Sequence, residues 1–271
     1  MTGQTLPLEL VYRILHNTYF VEEGVKDSST LSACSLVSPS WTGEAQRLLH
    51  HSIRVASCPS FRPHDIPLRI GSLVRSLEVS VGYSEIPVGD FVTLLAHCPH
   101  VYELHLRITE HELDDVTLDL LSNTPTPLRI VALNLQYCGV QSPILFQLLF
   151  LWPTIEFLRL GTEIAASPPF KTPTFRLYEL TLLRNPPVAT LLWLLSNSVG
   201  HLRILDFRDP PGHKFELLFD QHGPHLHSLR FFRHAGGAES MIQRCPKQRT
   251  RIVADFELPQ IGRFAEDVGT F

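Results

Sequence analysis

Residues 98–106 read CPHVYELHL and contain the pattern that decides the fold: an apolar residue, two further residues, a leucine, one residue and a second large apolar residue. The same pattern returns along the chain, and a weaker copy of it occupies residues 251–256. Successive copies begin 22 to 29 residues apart, so the chain from residue 74 onward is predicted to be an array of internal repeats. The seven clear copies start at Val74, Val101, Ile130, Ile155, Leu177, Leu202 and Leu226.

This period is typical of leucine-rich repeats, in which each unit of about 20 to 29 residues contributes a β-strand and usually a helix. The copy at Ile130 carries the whole consensus, including Cys138. Alternating strands and helices predict an α/β fold, a right-handed leucine-rich-repeat solenoid with parallel strands. The alternative is a doubly wound α/β domain, which needs longer helices and glycine-rich turns. The predicted helices between the strands are residues 88–97, 112–122, 143–151, 188–196, 215–220 and 239–244.

The first fifty residues differ from the repeats and are predicted to form three short helices. The first begins at the Leu-Pro pair of residues 6–7, because proline suits the first turn of a helix. The second begins near residues 28–29 and runs through Leu36, and the third begins after Ser38 as its cap. Such a small helical unit buries little surface by itself, so it needs a partner or a neighbour.

Three segments, LPLEL at residues 6–10, IL at 14–15 and LSACSLVSPSW at 31–41, resemble the F-box motif in their order. With the repeats behind them, the chain is similar to F-box proteins with C-terminal leucine-rich repeats of the fungal type. The resemblance implies a non-catalytic receptor whose helices bind a Skp-family adaptor of a cullin-RING ubiquitin ligase, while the repeats hold the protein to be ubiquitinated. The alternative is that the helices only pack against the repeats and recruit no ligase. Carried over position by position, the adaptor-facing residues are Leu6, Pro7, Leu8, Leu10, Val11, Ile14, Leu36, Val37 and Trp41.

Side chains alternate along a strand, so the residues between the buried leucines are predicted to form an outward face. Alternating charges with occasional aromatic rings suit a protein ligand, with the rings as anchors and arginines as hydrogen-bonding forks. An ordinary solvated surface is the alternative for any single residue. The predicted target-binding residues are Glu78, His105, Asn134, Arg159, Thr181, Asp206 and Arg230 in the central column and Phe157 and Phe232 beside it. The flanking columns also contain Glu103, Arg107, Gln136, Glu179 and Arg208.

The resulting domain organisation has four parts. A helical module spans residues 1–51, and a linker with a degenerate first strand spans 52–73. The solenoid spans 74–257, and residues 258–271 are predicted to be a C-terminal cap and tail, since the open end of a solenoid needs covering. The residues predicted to form that cap are Leu258, Ile261 and Phe264.

Composition narrows the function class. The formal net charge is −4 and no basic stripe is visible, so binding to nucleic acid is not expected. The five cysteines are odd in number and contain no C-x-x-C pair, which argues against a zinc site and a disulfide framework. The N-terminus lacks a signal-peptide pattern, and the longest apolar run, residues 144–152, is too short for a bilayer. The sequence therefore predicts a soluble intracellular protein of the cytoplasm or nucleus.

Two groups of histidines are the only candidates for metal chemistry. His222, His225 and His227 form one group, and residues 97–105 contain the other, but neither has the spacing of a helical H-E-x-x-H site. Both are predicted to be surface histidines, and no cofactor is expected. The chain also lacks nucleophile-elbow and phosphate-loop motifs, which argues against an enzyme. An enzyme with an unrecognised site in the histidine-rich turns is the remaining alternative.

Overall fold

A computed structural model of the chain describes residues 6–19, 26–55, 62–63, 66–124, 127–209, 211–231, 239–246 and 251–252. The described residues divide into two compact units. The first ends at Ser52 and the second begins at Ile53. The predicted cap residues Leu258, Ile261 and Phe264 lie outside the described residues.

The first unit consists of three helices, α1 (Leu8–Tyr19), α2 (Ser28–Cys34) and α3 (Pro39–His51). Helix α2 begins where it does because the carboxylate of Asp27 accepts a hydrogen bond from the backbone N–H of Thr30 at 2.9 Å. The cap is therefore Asp27 and not one of the two serines that follow it. Helix α2 ends at Cys34, so Leu36 lies in the turn after it and not in the helix as predicted. The closed core of the unit contains Val11, Leu15, Leu31, Ala45 and Leu48.

Polar contacts tie the helices of the first unit together. The Glu44 carboxylate on α3 accepts hydrogen bonds from Arg47 at 2.6 Å and from the His16 ring on α1 at 3.1 Å. The ammonium of Lys26 donates to the carbonyl oxygens of Leu49 and Ser52 at 2.7 and 3.0 Å. Burial lowers the pKa of Lys26. These contacts join the segment before α2 to the end of α3.

The second unit is built on one sheet whose strand order follows the chain order. The strands from β2 to β9 pair in parallel, and β1 lies beside β2 at one edge. A doubly wound sheet reverses its strand order at a switch point, so the sequential order argues against that alternative. The strands are β1 (Ser52–Val55), β2 (Ser76–Val81), β3 (Glu103–Ile108), β4 (Ala132–Tyr137), β5 (Phe157–Leu160), β6 (Glu179–Leu182), β7 (Ile204–Phe207), β8 (Ser228–Phe231) and β9 (Arg251–Ile252).

Short helices connect most of the strands, and all six that the sequence predicts are present, with ends shifted by a few residues. The second of them begins at Asp115, three residues later than predicted, because the Asp114 carboxylate caps it by accepting from the backbone N–H of Thr117 at 2.8 Å. Within the described ranges, no helix has the length and apolar character needed to cross a membrane. The helices are α4 (Leu68–Gly71), α5 (Val88–His97), α6 (Asp115–Ser122), α7 (Ile144–Leu151), α8 (Val188–Leu195), α9 (Glu216–His222) and α10 (Glu239–Gln243).

The connection between β5 and β6, residues 161–178, contains no helix. Its prolines at 168, 169 and 173 remove backbone donors that a helix would need. The segment is fixed instead by single contacts, among them a hydrogen bond from the Trp193 indole N–H to the carbonyl oxygen of Lys171 at 2.9 Å.

The core of the second unit is made of the apolar positions of the repeated pattern. All three of these positions in all seven clear copies are at most 2% exposed, which confirms the predicted inward face. Full burial of a Val, Leu, Ile or Phe side chain is worth roughly 1.5 to 3 kcal/mol, so these columns supply much of the driving force for folding. Their alternation along each strand directs the intervening side chains to the opposite face.

Candidate functional site

The residues between the paired apolar positions form one continuous column across the outer face of the sheet. The strand register pairs each member of this column with the next, as the sequence predicted. The column runs Glu78, His105, Asn134, Arg159, Thr181, Asp206 and Arg230, and reaches Arg251 in the last strand.

The flanking columns follow the prediction less closely. Phe157 pairs with Glu179, as expected from the pattern. Arg107 pairs with Tyr137 and not with Gln136, because the register shifts after Leu106. The guanidinium carbon of Arg107 lies 5.3 Å from the centroid of the Tyr137 ring, within range of a cation–π contact. The predicted anchor Phe232 lies outside the described residues.

At the N-terminal part of the column, polar side chains are joined in short chains. The Arg54 guanidinium lies 3.1 Å from the Glu78 carboxylate. The His105 ring is bonded at both nitrogens, with Nε2 3.1 Å from the Glu103 carboxylate and Nδ1 3.1 Å from the Asn134 amide. A neutral ring that donates through Nε2 and accepts at Nδ1 satisfies both contacts.

At the C-terminal part, the column contains a buried ion pair. Arg230 donates to both carboxylate oxygens of Asp206, from Nε at 2.8 Å and from Nη2 at 2.5 Å. The Thr181 hydroxyl lies 3.5 Å from oxygens of both Asp206 and Glu179. Asp206 is 2% exposed, Glu179 is 4% exposed and Thr181 is also buried. The prediction of an open outward face is therefore wrong for Thr181 and Asp206. The side chain of Arg230, on the neighbouring strand, covers the Asp206 carboxylate.

Burial controls the electrostatics of this cluster. Burial and, after it, the nearby Asp206 carboxylate raise the pKa of Glu179 to about 7, against the lowering effects of Arg230, the Thr181 hydroxyl and Arg159. Burial also raises the pKa of Asp206, in spite of the hydrogen bonds from Arg230. For Arg230, burial is the largest single influence and favours a lower pKa, but the hydrogen bond to Asp206 and the attractions of the Asp206 and Glu179 carboxylates together outweigh it, so the pKa is raised.

Arg159 occupies the middle of the column, between Asn134 and Thr181 in the strand register. Its side chain is partly buried, and burial lowers its pKa. Within the part of the chain that the structure describes, its guanidinium has no hydrogen-bond or ion-pair partner. The outer face thus contains one arginine, Arg230, that hydrogen-bonds to a carboxylate, and another, Arg159, that Asp206 and Glu179 attract without such a bond among the described residues.

A scan of models of known protein families found none that matches this chain, and a search of curated proteins found no match.

The surface of the first unit is the second candidate site. Leu36 is 85% exposed, and most of the other predicted adaptor-facing residues are also exposed. Val11 is the clear exception, since it is 1% exposed and lies in the core one turn from Leu15. Trp41 is partly buried and packs against that core. The prediction that Val11 faces a partner is therefore wrong, because the helices need its side chain for their own packing, whereas the role of the partly buried Trp41 stays a prediction. The exposed members are Leu6, Pro7, Leu8, Leu10, Ile14, Leu36 and Val37.

The histidine-rich turns were the candidates that the sequence offered for metal binding. Among the described residues, no three His, Cys, Asp or Glu side chains are grouped as metal ligands. His222 was predicted to lie on the surface but is buried at the end of α9, where its Nδ1 has no hydrogen-bond partner among the described residues. Burial, with a smaller effect of His225, lowers the pKa of His222 to about 4, so the ring is neutral at physiological pH.

Three of the five cysteines lie in the core of the second unit. Cys98, Cys138 and Cys245 are buried, whereas Cys58 lies outside the described residues. Burial raises the pKa of Cys98 and of Cys138 to about 11. Because the thiolate is the reactive form, these two groups are inert packing residues and not nucleophiles.

Proposed function

We propose that this chain is the substrate-recognition subunit of a Skp-cullin-F-box type ubiquitin ligase. In this proposal, the first unit is an F-box-like module that binds a Skp-family adaptor. The second unit is a right-handed leucine-rich-repeat solenoid whose outer sheet face binds the target protein. The chain itself is non-catalytic, and its contribution is to hold the target at a high effective concentration near the transferring enzyme.

The observation that carries the proposal is the exposed apolar surface of the first unit. Five buried side chains close the core of this unit, whereas Leu36 and Val37 are 85% and 65% exposed and Ile14 is 40% exposed. Apolar side chains grouped on a small unit are typical of an interface with another protein. Each one that becomes buried on binding contributes roughly 1.5 to 3 kcal/mol to the association.

The outer face of the sheet supports the second half of the proposal. Its central column is in register from Glu78 to Arg230 and alternates acidic, neutral and basic side chains. Such a surface offers hydrogen-bond donors and acceptors at fixed intervals, which suits recognition of a specific protein segment.

The alternative is a leucine-rich-repeat binding scaffold that recruits no ligase. It shares the sheet face and the absence of recognised catalytic motifs with the first proposal. The two differ only in what the exposed apolar surface of the first unit binds.

Co-purification with a Skp-family adaptor separates the two proposals. Wild-type chain is expected to retain the adaptor, and the variant Leu10→Asp plus Ile14→Asp is expected to lose it, since both side chains are exposed one turn apart on α1. The matched control is Val116→Asp plus Leu120→Asp, which changes two exposed apolar residues of the same spacing on α6. Adaptor retained by the α1 variant, or absent from the wild type, would defeat the ligase proposal and leave the scaffold.

A further inference from the structure

We propose that Arg159 anchors an oxyanion, a carboxylate or phosphate group carried by an extended segment of the bound target protein. The inference rests on the proposed target-binding role of the outer sheet face and names the chemistry that this face recognises.

Arg159 differs from three other arginines of the sheet in what its guanidinium contacts. Arg230 holds the Asp206 carboxylate, Arg54 lies against the Glu78 carboxylate, and Arg107 lies over the Tyr137 ring. Arg159 has no such partner among the described residues, although its side chain is partly buried. A guanidinium carries five N–H donors, and removing them from water without replacing the lost hydrogen bonds is costly.

The nearby acidic groups do not meet this need. Both oxygens of Asp206 are bound by Arg230. Glu179 lies in the flanking column opposite Phe157, and its hydrogen bond is a long one of 3.5 Å with the Thr181 hydroxyl. The guanidinium is therefore left available for a ligand. Its planar fork matches the two oxygens of a carboxylate or of a phosphate, and such charge-assisted pairs are about twice as strong as neutral hydrogen bonds.

The neighbours of Arg159 complete the site. Asn134 and Thr181 flank it in the strand register, and adjacent strands lie about 4.8 Å apart. One hydrogen of the Asn134 amide is directed to His105, and the other remains available to an oxygen of the ligand. Phe157 lies two residues before Arg159 on the same face of β5, with its ring against that of Tyr178 and part of its surface exposed toward an apolar residue of the same segment.

Glu179 makes the site sensitive to pH. The charged groups that face it are Arg159 on β5, Asp206 on β7 and Arg230 on β8. As the pH falls below about 7, Glu179 takes up a proton, which removes a negative charge near the incoming oxyanion. Binding of a carboxylate at Arg159 is therefore expected to strengthen as the pH is lowered from about 8 to about 6, whereas a phosphate, whose second pKa is about 6, loses part of its own charge over the same range.

The test uses the full chain and three peptide libraries with random neutral flanks. The libraries differ only in one fixed central residue, which is phosphoserine, glutamate or glutamine. Wild-type chain is expected to retain at least one of the two acidic libraries roughly tenfold or more over the glutamine library. Arg159→Gln removes that preference, and Arg159→Lys keeps part of it because the charge remains but the fork is lost.

The control is Arg129→Gln, which changes an exposed arginine in the turn before β4 and is expected to keep the wild-type preference. Stronger retention of phosphoserine than of glutamate identifies a phosphorylated target segment, and equal or weaker retention identifies an acidic one. Equal retention of all three libraries, retention of none, or an unchanged preference in Arg159→Gln would overturn the inference.

Failure of this inference is distinguishable from failure of the proposed function. Adaptor co-purification does not depend on Arg159, so the Arg159→Gln variant is expected to retain the adaptor as the wild type does. Lost library preference with the adaptor retained refutes the oxyanion anchor alone. A wild-type chain that prefers the acidic libraries but binds no adaptor refutes the ligase role alone.

Discussion

Arg230 on β8 donates hydrogen bonds to both carboxylate oxygens of Asp206 on β7, and the two residues occupy the same position in successive copies of the repeated pattern. The Asp206 carboxylate is almost wholly buried, whereas the arginine side chain is 36% exposed. The arginine thus connects a buried acid to the surface. Removing the arginine leaves the buried Asp206 charge without its partner, which lowers stability more than replacing both residues by apolar ones.

Arg230→Met is therefore expected to lower the free energy of unfolding by roughly 2 to 3 kcal/mol, as measured by urea denaturation. The double variant Asp206→Leu plus Arg230→Met is expected to recover most of that loss, because apolar residues of similar volume replace both charges. A double variant no more stable than Arg230→Met alone would contradict this account.

Glu179 should make the protein less stable as the pH rises. Its pKa is about 7 in the folded state and 4.5 as a free group, so the folded state favours the protonated form. The stabilisation is present below pH 4.5 and is lost as the pH rises through 7. Glu179→Gln is expected to be more stable than the wild type by about 3 kcal/mol at pH 8, with a smaller difference at pH 5. Urea denaturation at a series of pH values measures this, and a difference independent of pH would refute it.

Burial of His222 should make the protein less stable as the pH falls, which is opposite to the effect of Glu179. Its pKa is 6.5 as a free group and about 4 in the folded state, so stability is present above pH 6.5 and is lost as the pH falls toward 4. His222→Leu is expected to be more stable than the wild type by about 2 kcal/mol at pH 5 and to differ little for this reason at pH 8. His227→Leu, which changes an exposed histidine of the same turn, serves as the control. The same acid-dependent gain in both variants would show that burial of His222 is not the cause.

In the first unit, substitutions of exposed side chains are expected to affect adaptor binding, and substitutions of buried side chains are expected to affect stability. Leu36→Asp plus Val37→Asp changes two exposed side chains, so the stability of the three helices is expected to stay within about 0.5 kcal/mol of the wild type while adaptor capture is lost. Leu31→Ala removes a core side chain and is expected to cost about 2 to 5 kcal/mol. Hydrogen exchange of the amides of α1, α2 and α3 measures both effects locally. Faster exchange in the exposed-residue variant would assign those side chains to the core instead.

Much of the second unit could be predicted from the sequence because the pattern is repeated. Seven aligned copies fix which residues face inward, and the parallel register then follows for the residues between them. The register shift after Leu106 could not be predicted in this way, because it depends on how two particular strands pair. The pair of Asp206 and Arg230 was visible as opposite charges at equivalent positions, but the burial of Glu179 beside it was not.

The first unit shows where a single sequence is ambiguous. Apolar residues cover a wide arc of α1, so the pattern alone did not decide whether Val11 or Leu8 faces inward. Leu31 and Leu48, from the other two helices, pack against one side of α1 only and so determine which of its faces is buried. His222 was misjudged for a similar reason, since its place near a turn hid the fact that α9 ends with its ring inside the protein.

The sequential strand order has a consequence for how the outer face of the sheet can change in evolution. Each strand neighbours only those adjacent to it in the chain, so six strand intervals, roughly 29 Å, separate Glu78 from Arg230. Duplication or deletion of one coil would lengthen or shorten this distance by one interval of about 4.8 Å and leave every other strand pair in place. The spacing between charged groups on the surface can therefore be adjusted in discrete steps, without redesign of the core beneath it.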